Sequence, residues 1–165
     1  MNLGIDIRYA TLKDLSDILK IEKSCFVEPW TKPIFKLMLR SPSLNDKDPV
    51  SHNFYVCELL DEIIGYIIWE NEYIYTNNDD NISFIGHIMN LAIASDKRRK
   101  GFGRLLIEFA FKKMRDGGIS DCYLEVRESN LPAIRLYENV GLSYRKRLKN
   151  YYFNEDGLTY FRKLS

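Results

Sequence analysis

From Ser83 to Ala94 the chain runs twelve residues with His87 as its only ionisable side chain, the longest low-charge run in the sequence. A segment of this kind can be accommodated only where both of its faces are covered, so it predicts a central strand with helices on either side of its sheet. The next segment, Lys97-Arg98-Arg99-Lys100-Gly101-Phe102-Gly103-Arg104, places five cations in eight residues. Leu105, Leu106, Phe109, Ala110 and Met114 then mark a helix that Gly117-Gly118 ends, and Cys122 to Arg127 reads as another strand. Strand, crossover helix and strand make a right-handed parallel unit.

The flanking segments fit around that unit. Ile5 to Tyr9 alternates as a strand, and Thr11 and Asp14 begin a helix whose apolar stripe is Leu12, Leu15, Ile18 and Leu19. Val27-Glu28-Pro29 breaks it, and a second short helix is expected from near Thr31. Ser41 to Ser51 and Thr76 to Asn81 read as loops. Phe54 to Leu59 and Ile63 to Trp69 form a predicted hairpin around a tight Asp61-Glu62 turn. Asn130 caps a further helix that carries Pro132 in its first turn and closes at Gly141, before two last strands at Leu142 to Leu148 and Leu158 to Leu164. With 165 residues, 45% of them hydrophobic, the chain can bury one substantial core. The expectation is a single domain over residues 1–165, of mixed α/β class, with about seven strands in a central sheet and helices on both faces.

The 24 basic and 23 acidic residues nearly cancel, so no global field recruits nucleic acid or an anionic membrane surface. The cationic cluster is therefore a local feature. Cys25, Cys57 and Cys122 are odd in number and widely spaced, with no CxxC pair, which argues against a disulfide framework and a zinc site. There is no basic-then-apolar leader at Met1 to Asp6 and no run approaching a membrane span, so a soluble cytoplasmic protein without a metal is expected.

Glycines at 101 and 103 let the backbone approach a ligand, and the first-turn amides of the following helix favour an anion such as a pyrophosphate. A solvated basic loop would have the same charge, but the two glycines at a strand-to-helix junction favour phosphate binding. Neither GxxxxGK[ST] nor GxGxxG is present.

Arg98-x-x-Gly101-x-Gly103, preceded by Asn90-Leu91-Ala92-Ile93 and followed by Leu124-Glu125-Val126-Arg127, Ser129-Asn130, Ala133-Ile134 and Leu136-Tyr137-Glu138, resembles the acetyl-CoA-binding core of the GNAT superfamily of N-acetyltransferases. The likeness runs from about Gly86 to Tyr152. It is greatest to the branch holding the bacterial ribosomal-protein-alanine N-acetyltransferases of the RimI type and the archaeal protein N-terminal acetyltransferases.

The resemblance implies acetyl-CoA as cosubstrate. Leu91, Ala92 and Ile93 would hold its pantetheine arm through the main chain, and the segment Arg98, Arg99, Lys100, Gly101, Phe102, Gly103 and Arg104 would cradle its pyrophosphate. Asn130 would lie near the thioester. Glu125 matches the family's base, and Tyr137, twelve residues later, matches its acid. His87 either shares the base duty or is structural. A salt bridge for Glu125 and simple core packing for Tyr137 are the plainer alternatives. The acceptor, a protein or peptide N-terminus with a ribosomal protein or the ribosome among the partners implied, would lie against Phe26, Glu28, Pro29, Trp30, Asn90, Tyr151 and Tyr152. Lysine side chains or a small amine are alternative acceptors, and a CoA-binding module without catalysis is the alternative of a different class. The family's acidic residues after the C-terminal Asp-Gly are missing here, where Asp156-Gly157 is followed by Leu158-Thr159.

Overall fold

The computed structural model describes residues 4–40, 52–75 and 82–164. The loops expected at Ser41 to Ser51 and Thr76 to Asn81 lie outside the described residues. In chain order the elements are β1 (Ile5–Tyr9), a short 3-10 turn (Leu12–Asp14), α1 (Leu15–Cys25), α2 (Lys32–Arg40), β2 (His52–Leu59), β3 (Glu62–Tyr75) and β4 (Ile82–Ile93). After a second 3-10 turn (Ser95–Lys97) come α3 (Phe102–Asp116), β5 (Asp121–Arg127), α4 (Leu131–Asn139), β6 (Ser143–Tyr152) and β7 (Glu155–Lys163). The strands form one mixed sheet in the order β1-β2-β3-β4-β5-β7-β6, parallel only where β4 meets β5. This is the mixed seven-stranded arrangement the sequence predicts.

Each face of the sheet buries its own core. On one side Leu15, Ile18 and Ile21 of α1 and Phe35 and Met38 of α2 close over Phe54, Val56, Tyr66, Ile68 and Ala92. Phe35, fully buried, meets the Tyr66 ring edge-on at 5.7 Å. On the other side Leu106, Ile107, Ala110, Phe111 and Met114 of α3 and Tyr137 and Val140 of α4 pack on Ile64, Ile67, Trp69, Ile88, Leu124 and Val126. The long low-charge run is β4, and its inner position explains the composition. A Cβ on Gly86 would come within 2.6 Å of the Met114 sulfur, so only glycine lets α3 sit this close to the strand.

Several boundaries differ from the expected ones. The β2–β3 turn is made by Leu60 and Asp61, both left-handed at φ 51° and 66°, and Glu62 already belongs to β3. A two-residue turn of this mirror-image kind follows the twist of the strands it joins, which moves the turn one residue earlier than Asp61-Glu62. Strand β3 continues past Trp69 to Tyr75, because β4 supplies partners as far as Ile82. Strand β6 likewise runs to Tyr152 against β7. Thr11 and Asp14 do start the first helical segment, the Asp14 carboxylate accepting the Thr11 amide at 2.7 Å.

Candidate active site

Strands β4 and β5 are paired only from Ile85 to Ile88 against Asp121 to Leu124. Beyond that point β4 stays with β3 and β5 stays with β7, so Met89–Ile93 and Glu125–Arg127 part from each other. The parting begins at a bulge: Ile88 pairs with Trp69 and Asn90 with Ile68, leaving Met89 as the extra residue. Leu91, Ala92 and Ile93 form one lip of the resulting fork, with Ala92 and Ile93 buried. Main-chain groups along that lip have no β5 partner, and the Ile93 carbonyl is taken instead by Arg98 and Cys25.

At the mouth of the fork the chain passes into α3. Gly101 adopts φ 88°, and the first intrahelical bond is Leu105 N–H to the Gly101 carbonyl at 2.9 Å. The amides of Phe102, Gly103 and Arg104 precede it and are left for an anion. A Cβ on Gly103 would stand 3.0 Å from Leu136, which holds α4 against this first turn. Most of the cationic side chains are occupied by the protein itself. Lys97 pairs with Glu62 at 2.7 Å, Lys100 donates to the Asp96 carbonyl at 3.1 Å, and Arg104 pairs with Glu108 at 2.7 Å. Arg98 donates to the Ile93 carbonyl and to the Cys25 sulfur, both at 3.0 Å, and so braces the turn that follows β4. Arg99 is exposed. What the loop offers an anion is therefore its backbone amides more than its charge count.

Across the fork, a polar row crosses four strands on one face of the sheet. Glu125 on β5 lies 2.7 Å from His87 Nε2, and Glu72 on β3 lies 3.0 Å from His87 Nδ1. The His87 ring stacks on Tyr123 with centroids 4.3 Å apart and planes 6° from parallel, and the Tyr123 hydroxyl donates to Glu72 at 2.7 Å. Glu70 stands 3.7 Å from His87 and 3.3 Å from His52 on β2. Burial on its own lowers the pKa of His87, but the hydrogen bonds and charges of Glu125 and Glu72 outweigh it and raise the value above the ordinary one. Sequence reasoning found Glu125 and His87 but missed Glu72 and Tyr123. The cue was available in Glu70 and Glu72, two acids at strand period next to an apolar run.

Tyr137 is enclosed in α4 with its pKa pushed up to about 12 by burial, and its hydroxyl has no hydrogen-bond partner among the described residues. Asn130 caps α4, its side-chain oxygen accepting the Ala133 amide at 3.3 Å, which occupies that oxygen structurally. Tyr152 is within electrostatic reach of both Tyr137 and Glu125, and burial leads the factors that raise its pKa.

The residues expected at the acceptor end fall into two groups. Trp30 and Phe26 are half-buried against the α1–α2 core, with Trp30 5.8 Å from Phe35. Asn90 is buried, its amide directed at Glu22 at 3.4 Å. Glu22, 1% exposed, also takes the hydroxyl of Tyr66 and the Trp30 amide. Burial raises its pKa despite these bonds. Its position among Ile18, Leu19 and Ile21 on the apolar stripe was the missed signal. Glu28 and Pro29 are exposed; Glu28 pairs with Arg127, whose guanidinium lies 4.4 Å over the Tyr152 ring. Tyr151, half exposed, meets Tyr152 edge-on at 5.0 Å.

A mixed sheet of this order, forked between its central parallel strands above an amide-lined helix start, defines a cleft open to an extended ligand with an anionic end. Residues 15–142 match the model of the Acetyltransferase (GNAT) family. An N-alpha-acetyltransferase of Sulfolobus acidocaldarius is 32% identical over 153 residues, covering 91% of this chain and 86% of its own length. The [ribosomal protein bS18]-alanine N-acetyltransferase of Escherichia coli is 39% identical over 70 residues, 42% of this chain and 47% of its own. The crystal structure of the ribosomal-protein-S18-alanine N-acetyltransferase from Escherichia coli has the same fold, with a TM-score of 0.77 at 22% identity over 98% of this chain and 94% of that one. The chain belongs to the GNAT family of acetyltransferases. Among the described residues, no helix is long and apolar enough to cross a membrane.

Proposed function

We propose that this protein transfers the acetyl group of acetyl-CoA to the α-amine of a protein N-terminus. The observation that carries the reading is the fork between β4 and β5: Leu91–Ile93 and the amides of Phe102 to Arg104 along one lip, Glu125 on the other, and His87 at the base, where the two strands still pair. An extended polar arm ending in a pyrophosphate suits the first set, and a protonated amine suits the second. Acetyl-CoA supplies the activated acyl group. Glu125 takes a proton from the acceptor ammonium, the freed amine attacks the thioester carbonyl, and the C–S bond breaks. Tyr137 protonates the departing sulfur and regains its proton from the new amide nitrogen. A phenol raised to about 12 stays protonated at neutral pH and is ready to donate.

An acceptor at a protein N-terminus is supported by the names of the relatives, and a ribosomal protein among the acceptors by the Escherichia coli one. Trp30, Glu28, Asn90, Tyr151 and Tyr152 would line its path. The test is incubation with acetyl-CoA and peptides that differ in residue one and contain an internal lysine. Thiol release with one acetyl group on the α-amine is the expected result, and label confined to lysine ε-amines would reject the N-terminal acceptor. Glu125→Gln should lower kcat by about 10²–10⁴-fold with little change in KM for acetyl-CoA.

A further inference from the structure

His87 faces a carboxylate from each side, and this constrains where its protons sit. Glu72 is 3.0 Å from Nδ1 while its other oxygen accepts the Tyr123 hydroxyl at 2.7 Å. Glu72 is thus an acceptor at both oxygens, and a bare Nδ1 lone pair facing it would be repelled. The hydrogen bond requires a proton on Nδ1. Nε2 faces Glu125 at 2.7 Å, a contact that likewise needs one proton between the two, so the geometry is that of the pair holding its proton, and Nε2 with Glu125 is the side left to release it and take it up again.

We infer that Glu72, held by Tyr123, is a positioning residue that keeps the neutral His87 ring in its Nδ1–H form, so that Nε2 and Glu125 together receive the acceptor's proton. The inference rests on the acetyl-transfer reading for its kinetic consequence only. In the step itself an N–H bond of the acceptor ammonium breaks, the electron pair stays on nitrogen for attack, and the proton is held between Glu125 Oε2 and His87 Nε2. It leaves to water after the product amide has formed. Glu72 gains and loses no proton in this scheme. Its charge raises the proton affinity of the pair, and its oxygen sets the ring's tautomer and orientation, as a buried carboxylate does for a catalytic histidine elsewhere. Tyr123 contributes twice, through the hydrogen bond that aims Glu72 and through the stacked ring that fixes the imidazole plane.

The other ionisable groups around this cluster are Glu70 on β3, His52 on β2 through Glu70, and Tyr151 and Tyr152 on β6, which feel the charge of Glu125. None of them bonds Nδ1 as closely as Glu72 does: Glu70 is the next nearest at 3.7 Å.

The chain has two histidines, so nitrogen-15 NMR of the imidazole groups can follow each one in the whole protein. Above its pKa, His87 should show Nδ1–H rather than the Nε2–H form usual for a free imidazole, and Glu72→Leu should shift it to Nε2–H. Glu72→Gln, which still offers a carbonyl oxygen, should keep Nδ1–H. In steady-state assays Glu72→Leu should lose roughly tenfold or more in kcat, a part of what a positioned base supplies, with KM for acetyl-CoA unchanged. Its acidic limb in the kcat–pH profile should move to lower pH, and Gln should recover much of the rate. Neutral His87 found as Nε2–H in the wild-type protein, or a Leu variant with unaltered tautomer and pH profile, would overturn the inference. The NMR result does not depend on turnover, so a failure of N-terminal acetylation itself would be recognised separately.

Discussion

The Glu22 carboxylate accepts the main-chain amide of Trp30 at 2.7 Å, joining α1 to the far side of the Pro29 break. Because the same carboxylate receives Tyr66 and Asn90, one buried acid holds the α1–α2 connection to β3 and to the bulged part of β4. Removing it leaves an amide, a phenol and a carboxamide without their buried acceptor. Glu22→Ala should therefore lose roughly 2–4 kcal/mol of stability in urea unfolding, while Glu22→Gln, which keeps an acceptor oxygen, should lose much less. In peptide assays the Ala variant should raise KM for the acceptor and leave KM for acetyl-CoA alone; equal effects on both would count against an acceptor-side role.

Tyr137 presents the opposite case. Its hydroxyl has no partner among the described residues, so Tyr137→Phe should leave the melting temperature nearly unchanged. Turnover should fall by about 10²-fold or more if the phenol protonates the leaving sulfur. Measured kcat for thiol release would decide the matter, and a Phe variant with wild-type kcat would restrict Tyr137 to packing.

Gly101 tests the backbone of the anion site separately from its charge. A Cβ there meets nothing within 4 Å, so the cost of substitution comes from its φ of 88° alone. Gly101→Ala should destabilise by about 1–2 kcal/mol, and Asn, which enters the left-handed region more readily, by less. Acetyl-CoA affinity measured by calorimetry should weaken in parallel. Arg98→Lys should act differently, loosening the contacts to Ile93 and Cys25 through a lost guanidinium fork.

His87 also links the fold to pH. Its pKa in the folded chain lies above the unfolded value near 6.5, since the Glu125 and Glu72 contacts overcome burial. Below about pH 6.5 both states carry the proton and the stabilisation is complete. As the pH climbs through the folded pKa, the folded protein releases it and the contribution is lost. Urea unfolding at about pH 6 and about pH 8.5 should show the stability gap between wild type and His87→Gln closing at the higher pH. A gap of constant size would contradict the assignment.

Much of the molecule was legible from local pattern. The low-charge run of β4, the glycine pair at the start of α3 and the Asn130 cap each carry their physics within a few residues, and the elements fall where that physics predicts. What was missed depends on partners remote in the chain. Glu72 acquires its place only when β3 lies beside β4 and Tyr123 comes up from β5, fifty-one positions away. Glu22 reads as an ordinary charge on a helix until Tyr66 and Asn90 arrive above it. Arg98 was grouped with its cationic neighbours, yet its direction is set by a carbonyl at the end of the strand before it. Trp30 is half-buried against the α1–α2 core, a placement that sequence spacing does not determine.

The parting of β4 and β5 has a practical side as well. It leaves two stretches of strand, Met89–Ile93 and Glu125–Arg127, unpaired with each other inside the sheet. Open edges are templates for a foreign strand. Purified protein should accordingly be least monodisperse when free of ligand and concentrated, and on the proposed function added CoA thioester should act as a colloidal stabiliser during storage and crystallisation, read as a narrower size distribution by light scattering.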